Sequence, residues 1–124
     1  MADNKVIGFS EMREMQLKLQ ELHKGDWAEL DPEQARNQLL YMVEEVGEVI
    51  AIAKKKGDDA IMNDPAVRAN FITEFSDVLM YLNDVLICYD ISPEEISIAF
   101  RKKHAKNMKR NWVVENSNKF ETLE

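Results

Sequence analysis

At 124 residues and 14.4 kDa the chain has room for one hydrophobic core and no second one beside it. With 45% hydrophobic and 31% charged residues, four Gly and three Pro, it is neither fibrous nor low in complexity, and its composition favours helices. A formal charge of -7 repels phosphate backbones and anionic lipid heads on average, so binding either one requires a local basic patch.

Four helical segments are predicted. The first follows Ser10 as N-cap, carries Met12, Met15, Leu19 and Leu22 at three-four-three spacing, and ends near Gly25. The second opens at Asp31-Pro32-Glu33-Gln34, with Asp31 as cap, Pro32 in the first turn and Gln34 placed to reach back as a capping-box partner. Its apolar stripe is Leu39, Val43, Val46, Ile50 and Ala53, and Lys54-Lys55-Lys56-Gly57 supplies cations at the negative end of the dipole and a glycine stop. The third starts at Asp64-Pro65 and is the most apolar, with Phe71, Phe75, Val78, Leu82, Val85 and Tyr89 widened by Ile72, Leu79 and Leu86. The fourth begins at Ser92-Pro93-Glu94-Glu95 and runs through Ile96, Ala99, Phe100 and Lys103 toward Trp112.

Period-two alternation between turn signals is absent, so the expected fold is all-α: a four-helix bundle forming a single domain over residues 1–112, followed by a polar, mobile tail over 113–124. The single Cys88, set in Leu86-Ile87-Cys88-Tyr89, has no internal disulfide partner and reads as a buried thiol in a reducing compartment. A basic-then-apolar leader and a bilayer-length apolar run are both missing, and a cytoplasmic location is expected.

The chemistry is concentrated on two helices. Glu44, Glu45 and Glu48 occupy neighbouring positions on one side of the second, at three- and four-residue spacing. Glu74 and Asp77 repeat the three-residue spacing on the third, with Tyr81 and Asp84 further along the same column. Acid clusters usually form a solvated face, but a second acidic pair beside the most apolar helix is out of place there. If the two helices pack antiparallel, the acids face one another, and a hard divalent cation such as Mg²⁺ or Mn²⁺ offsets their repulsion.

A third element is basic. Lys103, Asn107 and Arg110 are four and three apart on one helical face, within a run from Arg101 to Arg110 that also contains His104. Beside a metal-carboxylate site, cations and an amide so spaced suit a phosphate clamp; alone, they complement a helix C-terminus.

Together these residues resemble a known family. Glu44-Glu45-Val46-Gly47-Glu48 followed by Glu74-Phe75-Ser76-Asp77 is similar to the Glu-Glu-x-x-Glu and Glu-x-x-Asp signature of the MazG-like all-α nucleoside triphosphate pyrophosphohydrolases. Lys103 to Arg110 resembles that family's Lys-x-x-x-Asn-x-x-Arg element, and Arg36-Asn37 resembles a pair in its dCTP pyrophosphatase branch. The resemblance spans roughly Trp27 to Trp112. It implies hydrolysis of a nucleoside triphosphate to the monophosphate and pyrophosphate with Mg²⁺, in a homodimer or homotetramer. It implies Glu45, Glu48, Glu74 and Asp77 as metal ligands, Glu44 as the group orienting or deprotonating the attacking water, and Lys103, Asn107 and Arg110 as phosphate ligands. Trp27 matches a tryptophan that stacks on the base in some relatives, and could equally plug the end of the bundle. Lys54-Lys55-Lys56 stands where the dCTP branch places an aromatic, so no cytosine preference is implied.

Two other readings can be weighed on the sequence. A di-iron bundle requires Glu-x-x-His pairs, and neither His23 nor His104 lies three after a Glu. A non-catalytic nucleotide- or nucleic-acid-binding adaptor would use the basic 101–110 segment against an unfavourable net charge. Phosphoribosyl-ATP pyrophosphohydrolase shares the fold type and reaction, and its motifs separate poorly from these.

Overall fold

The computed structural model describes residues 4–110, and their regular structure is helical apart from one isolated bridge between Lys24 and Trp27. Trp112 and the 113–124 tail lie outside the described residues. In chain order the elements are α1 (Phe9–Leu22), a 3₁₀ turn (Pro32–Gln34), α2 (Ala35–Asn63), α3 (Pro65–Cys88) and α4 (Pro93–Lys109). The described residues group into two compact units, one running to Ser92 and one beginning at Pro93 with α4. No described helix is long and apolar enough to cross a membrane.

Local sequence accounts for most helix starts. The Asp31 carboxylate accepts the Gln34 N–H at 3.1 Å, and that of Asp64 accepts the Ala66 and Val67 N–H groups at 3.0 and 3.4 Å, with Pro32 and Pro65 in their first turns. Gln34 does not close a capping box. Its Oε1 accepts the Asn37 side-chain amide at 3.1 Å, and the chain makes one 3₁₀ turn before α2. Ser10 is likewise not a cap: α1 starts at Phe9 because the Glu11 carboxylate accepts the Gly8 N–H at 3.0 Å, leaving Ser10 inside the first turn.

The predicted stop at Gly57 is a break rather than an end. Gly57 adopts φ +81°, a conformation costly for residues with a Cβ, and the chain returns to helix as far as Asn63. At the far end of α3, Asp90 sits at φ +53° and the Ile91 N–H donates to the Leu86 carbonyl at 2.8 Å, the six-to-one bond of a Schellman ending.

In the first unit α3 packs against both α1 and α2. One residue, Asp64, separates α2 from α3, so the two run antiparallel as a hairpin. The face of α2 toward α3 is the column Ala35, Gln38, Met42, Glu45, Val49 and Ile52, where every residue is buried or half-buried. This corrects the sequence reading. Leu39, Val43, Val46 and Ile50, the expected core stripe, are all exposed, and the inward column carries a glutamine and a glutamate in their place. On α3, Leu86 and Cys88 are buried while Ile72, Phe75 and Leu79 are exposed.

Candidate metal centre and adjoining cavity

The inward columns of the hairpin bring the acids together. Glu45 from α2 and Glu74 and Asp77 from α3 each present a carboxylate oxygen within 4.8 Å of the others, and all three residues are half-buried. Among the described residues no lysine or arginine forms an ion pair with any of them. Partial burial, then the neighbouring charges of Asp77, Glu74, Glu48 and Glu44, push the Glu45 carboxyl above its ordinary range. Repulsion without a compensating cation, at carboxylate oxygens converging from two helices, fits a hard divalent ion, and the all-oxygen donor set suits Mg²⁺ or Mn²⁺ rather than a soft metal.

The other predicted site residues do not join the triple. Glu48 and Glu44 are exposed and stand outside the three converging groups. Glu48 lines a separate cleft with Lys55, Lys56 and Asn70. Lys103, Asn107 and Arg110 belong to the second unit, where the Arg110 guanidinium donates to the Asn107 side-chain oxygen at 3.2 Å and Lys103 is exposed.

Asp77 also lines a cavity of about 350 Å³ that runs from the triple toward α1. Its aromatic walls are Trp27, Tyr41 and Tyr81; the two tyrosine rings lie 5.7 Å apart, and Trp27 stacks on His23 with centroids 4.0 Å apart. Burial first, then the charges of Glu45, Asp84 and Asp77, raise the Tyr81 phenol above its usual value and keep it a neutral donor. The cavity also contains Asp84, which continues the Glu74–Asp77 column, its Oδ1 accepting from the Gln16 amide at 2.9 Å between α1 and α3; Gln16 and Gln38 belong to no motif in the sequence. The available signal for Asp84 was a charged residue in the most apolar helix; Gln38 had none, because the sequence assigns the Leu39 stripe of α2 to the core.

No protein-family model, no curated protein and no solved structure matches the chain.

The strained state of Glu45 has a measurable sign. Because its folded-state pKa is raised, the charged form is the penalised one, and the carboxyl withdraws stability as pH rises through that pKa. Glu45→Gln is therefore expected to raise the melting temperature of the metal-free protein at neutral pH by about 2–4 °C. The gain closes as pH falls through the Glu45 titration, and added Mg²⁺ stabilises the wild type but not the variant. Thermal melts with EDTA and with Mg²⁺ across pH check all three; an unchanged or lower metal-free melting temperature contradicts the repulsive cluster.

Proposed function

We propose that the protein is a Mg²⁺-dependent nucleoside triphosphate pyrophosphohydrolase of the MazG-like four-helix type, adding water across the α–β phosphoanhydride to give a nucleoside monophosphate and pyrophosphate. The convergence of Glu45, Glu74 and Asp77 at the edge of an aromatic-walled cavity carries this reading. The cavity offers a flat ring a place to stack, and the acids lie where the attached phosphates need their charge offset.

Glu45, Glu74 and Asp77 hold the metal, with Glu48 as a fourth ligand on the strength of the motif it completes. When bound, Mg²⁺ (or Mn²⁺) neutralises phosphate charge and lowers the pKa of water. Glu44, exposed beside the triple, orients the attacking water or takes its proton. Lys103, Asn107 and Arg110 are assigned to the phosphates by the resemblance of their spacing, which the Asn107–Arg110 hydrogen bond accommodates. A homodimer or homotetramer in the cytoplasm completes the proposal, and the exposed apolar stripe of α2 supports the association.

The deciding experiment incubates the full chain with canonical NTPs and dNTPs in Mg²⁺, Mn²⁺ or EDTA and follows pyrophosphate and monophosphate. Metal-dependent release of both, abolished by EDTA, is the expected result; orthophosphate as the sole product, or no release from any nucleotide, overturns the assignment. One observation favours the adaptor reading: Arg101, Lys102, Lys103, His104, Lys106 and Lys109 are all exposed on α4. That reading predicts silence in the same panel together with steeply salt-dependent binding to duplex DNA.

A further inference from the structure

The polar end of the cavity is built for more than packing. Gln16 and Asp84 are 7% exposed and Gln38 9%, and all three line the same space as Trp27, Tyr41 and Tyr81. Their hydrogen-bonding capacity is largely unspent. The Gln16 amide donates one bond, to Asp84 Oδ1 at 2.9 Å, and among the described residues the Gln38 side chain makes none. The unbonded polar atoms of Gln38 and Asp84 open onto the cavity, where water or a ligand can reach them.

The chemistry of the missing partner follows from the groups that await it. Burial pushes the Asp84 carboxyl above its ordinary range, the Gln16 hydrogen bond opposing that in part, and the Gln16 amide donating to Oδ1 uses that oxygen as an acceptor. An ionised carboxylate only accepts; Oδ1 takes the Gln16 amide, and among the described residues Oδ2 takes no donor. Gln38, on the wall of the same cavity, can donate or accept. The rings of Trp27, Tyr41 and Tyr81 offer a flat ligand a surface to pack against.

We propose that Asp84, held by Gln16, selects nucleotides whose base carries an exocyclic amino group, a 4-aminopyrimidine or a 6-aminopurine. The amino N–H donates to Asp84 Oδ2, the adjacent ring nitrogen accepts from the Gln38 amide, and the ring lies among Trp27, Tyr41 and Tyr81. A keto base turns an oxygen lone pair toward the carboxylate; its ring N–H can still donate to the Gln38 side-chain oxygen, but Asp84 is left facing an acceptor, and unmatched polar groups are how such sites reject close analogues. The proposal depends on the pyrophosphohydrolase reading for its substrate and adds the base class to it.

The test uses two matched pairs that differ by amino against keto, dCTP with dUTP and dATP with dITP, on wild type and Asp84→Asn. In every pair that is turned over, kcat/KM for the amino member is expected to exceed that for the keto member by at least about 100-fold. Asp84→Asn, whose amide can donate to a keto oxygen, is expected to narrow the ratio at least about tenfold. Equality or reversal in a wild-type pair overturns the proposal, and this holds even if the variant does not fold; an unchanged ratio in a folded variant overturns it too. Binding of cytidine against uridine and adenosine against inosine, followed by NMR in EDTA, separates the two levels. Selective nucleoside binding without turnover of any triphosphate overturns the hydrolase reading alone, whereas turnover without amino preference overturns this inference alone.

Discussion

Asp77→Asn lowers metal-dependent pyrophosphate release by at least about 100-fold, with helix content and melting behaviour retained. The floor follows from comparison: removing groups that merely support metal ligands typically costs about 10–100-fold, and Asp77 is placed to be a ligand itself. Its carboxylate converges with those of Glu45 and Glu74, and the same residue lines the cavity, so the substitution weakens the site where metal and substrate meet. The fold survives because one like charge leaves a cluster in which Glu45 is already disfavoured as an anion by its neighbours. Asp58→Asn, at an exposed position just past the Gly57 break, serves as the matched control and retains wild-type activity. A steady-state pyrophosphate assay over a range of Mg²⁺ concentrations reads the result. If Asp77→Asn turns over like wild type, the triple is not the metal centre.

The acid triple was legible in the sequence because its information is local. Glu74 and Asp77 share a face by spacing, and the one-residue link at Asp64 folds that face back on Glu45. The caps at Asp31 and Asp64 were legible for the same reason, since each bonds an N–H two or three residues on. Ser10 misled because a glutamate reaching back to the Gly8 N–H can start a helix without a hydroxyl cap. The Gln16–Asp84 bond was not legible: the partners are 68 residues apart, and nothing near either one encodes the other. Hydrophobic periodicity finds the greasiest stripe, Leu39 to Ala53, and assigns it to the chain's own core. The structure packs a mixed column, Gln38 and Glu45 included, inside the hairpin and leaves the greasy one outside.

That exposed stripe leads to the second large effect, on assembly. Val43 is 62% exposed, Leu40 56% and Ile50 52%, while the buried hydrophobic residues among those described are only Ala35, Val49, Leu86 and Cys88. A core so small is poor support for the described residues, and in the proposed homodimer a second copy laid on α2 would bury the stripe. In a twofold interface each residue acts twice, once from each subunit. Val43→Lys with Ile50→Glu thus removes four apolar contacts, each worth about 1–1.5 kcal/mol for the surface still open to cover. The expected loss is about 4–6 kcal/mol, a rise in the dimer Kd of about 10³–10⁴-fold. Wild type should sediment as a dimer or larger at micromolar concentration, with a melting temperature that climbs with protein concentration. The double variant should sediment as a monomer that melts lower and independently of concentration. Monomeric wild type with a concentration-independent, cooperative melt excludes the dimer, and the exposed α2 stripe then has to be stable in water unaided.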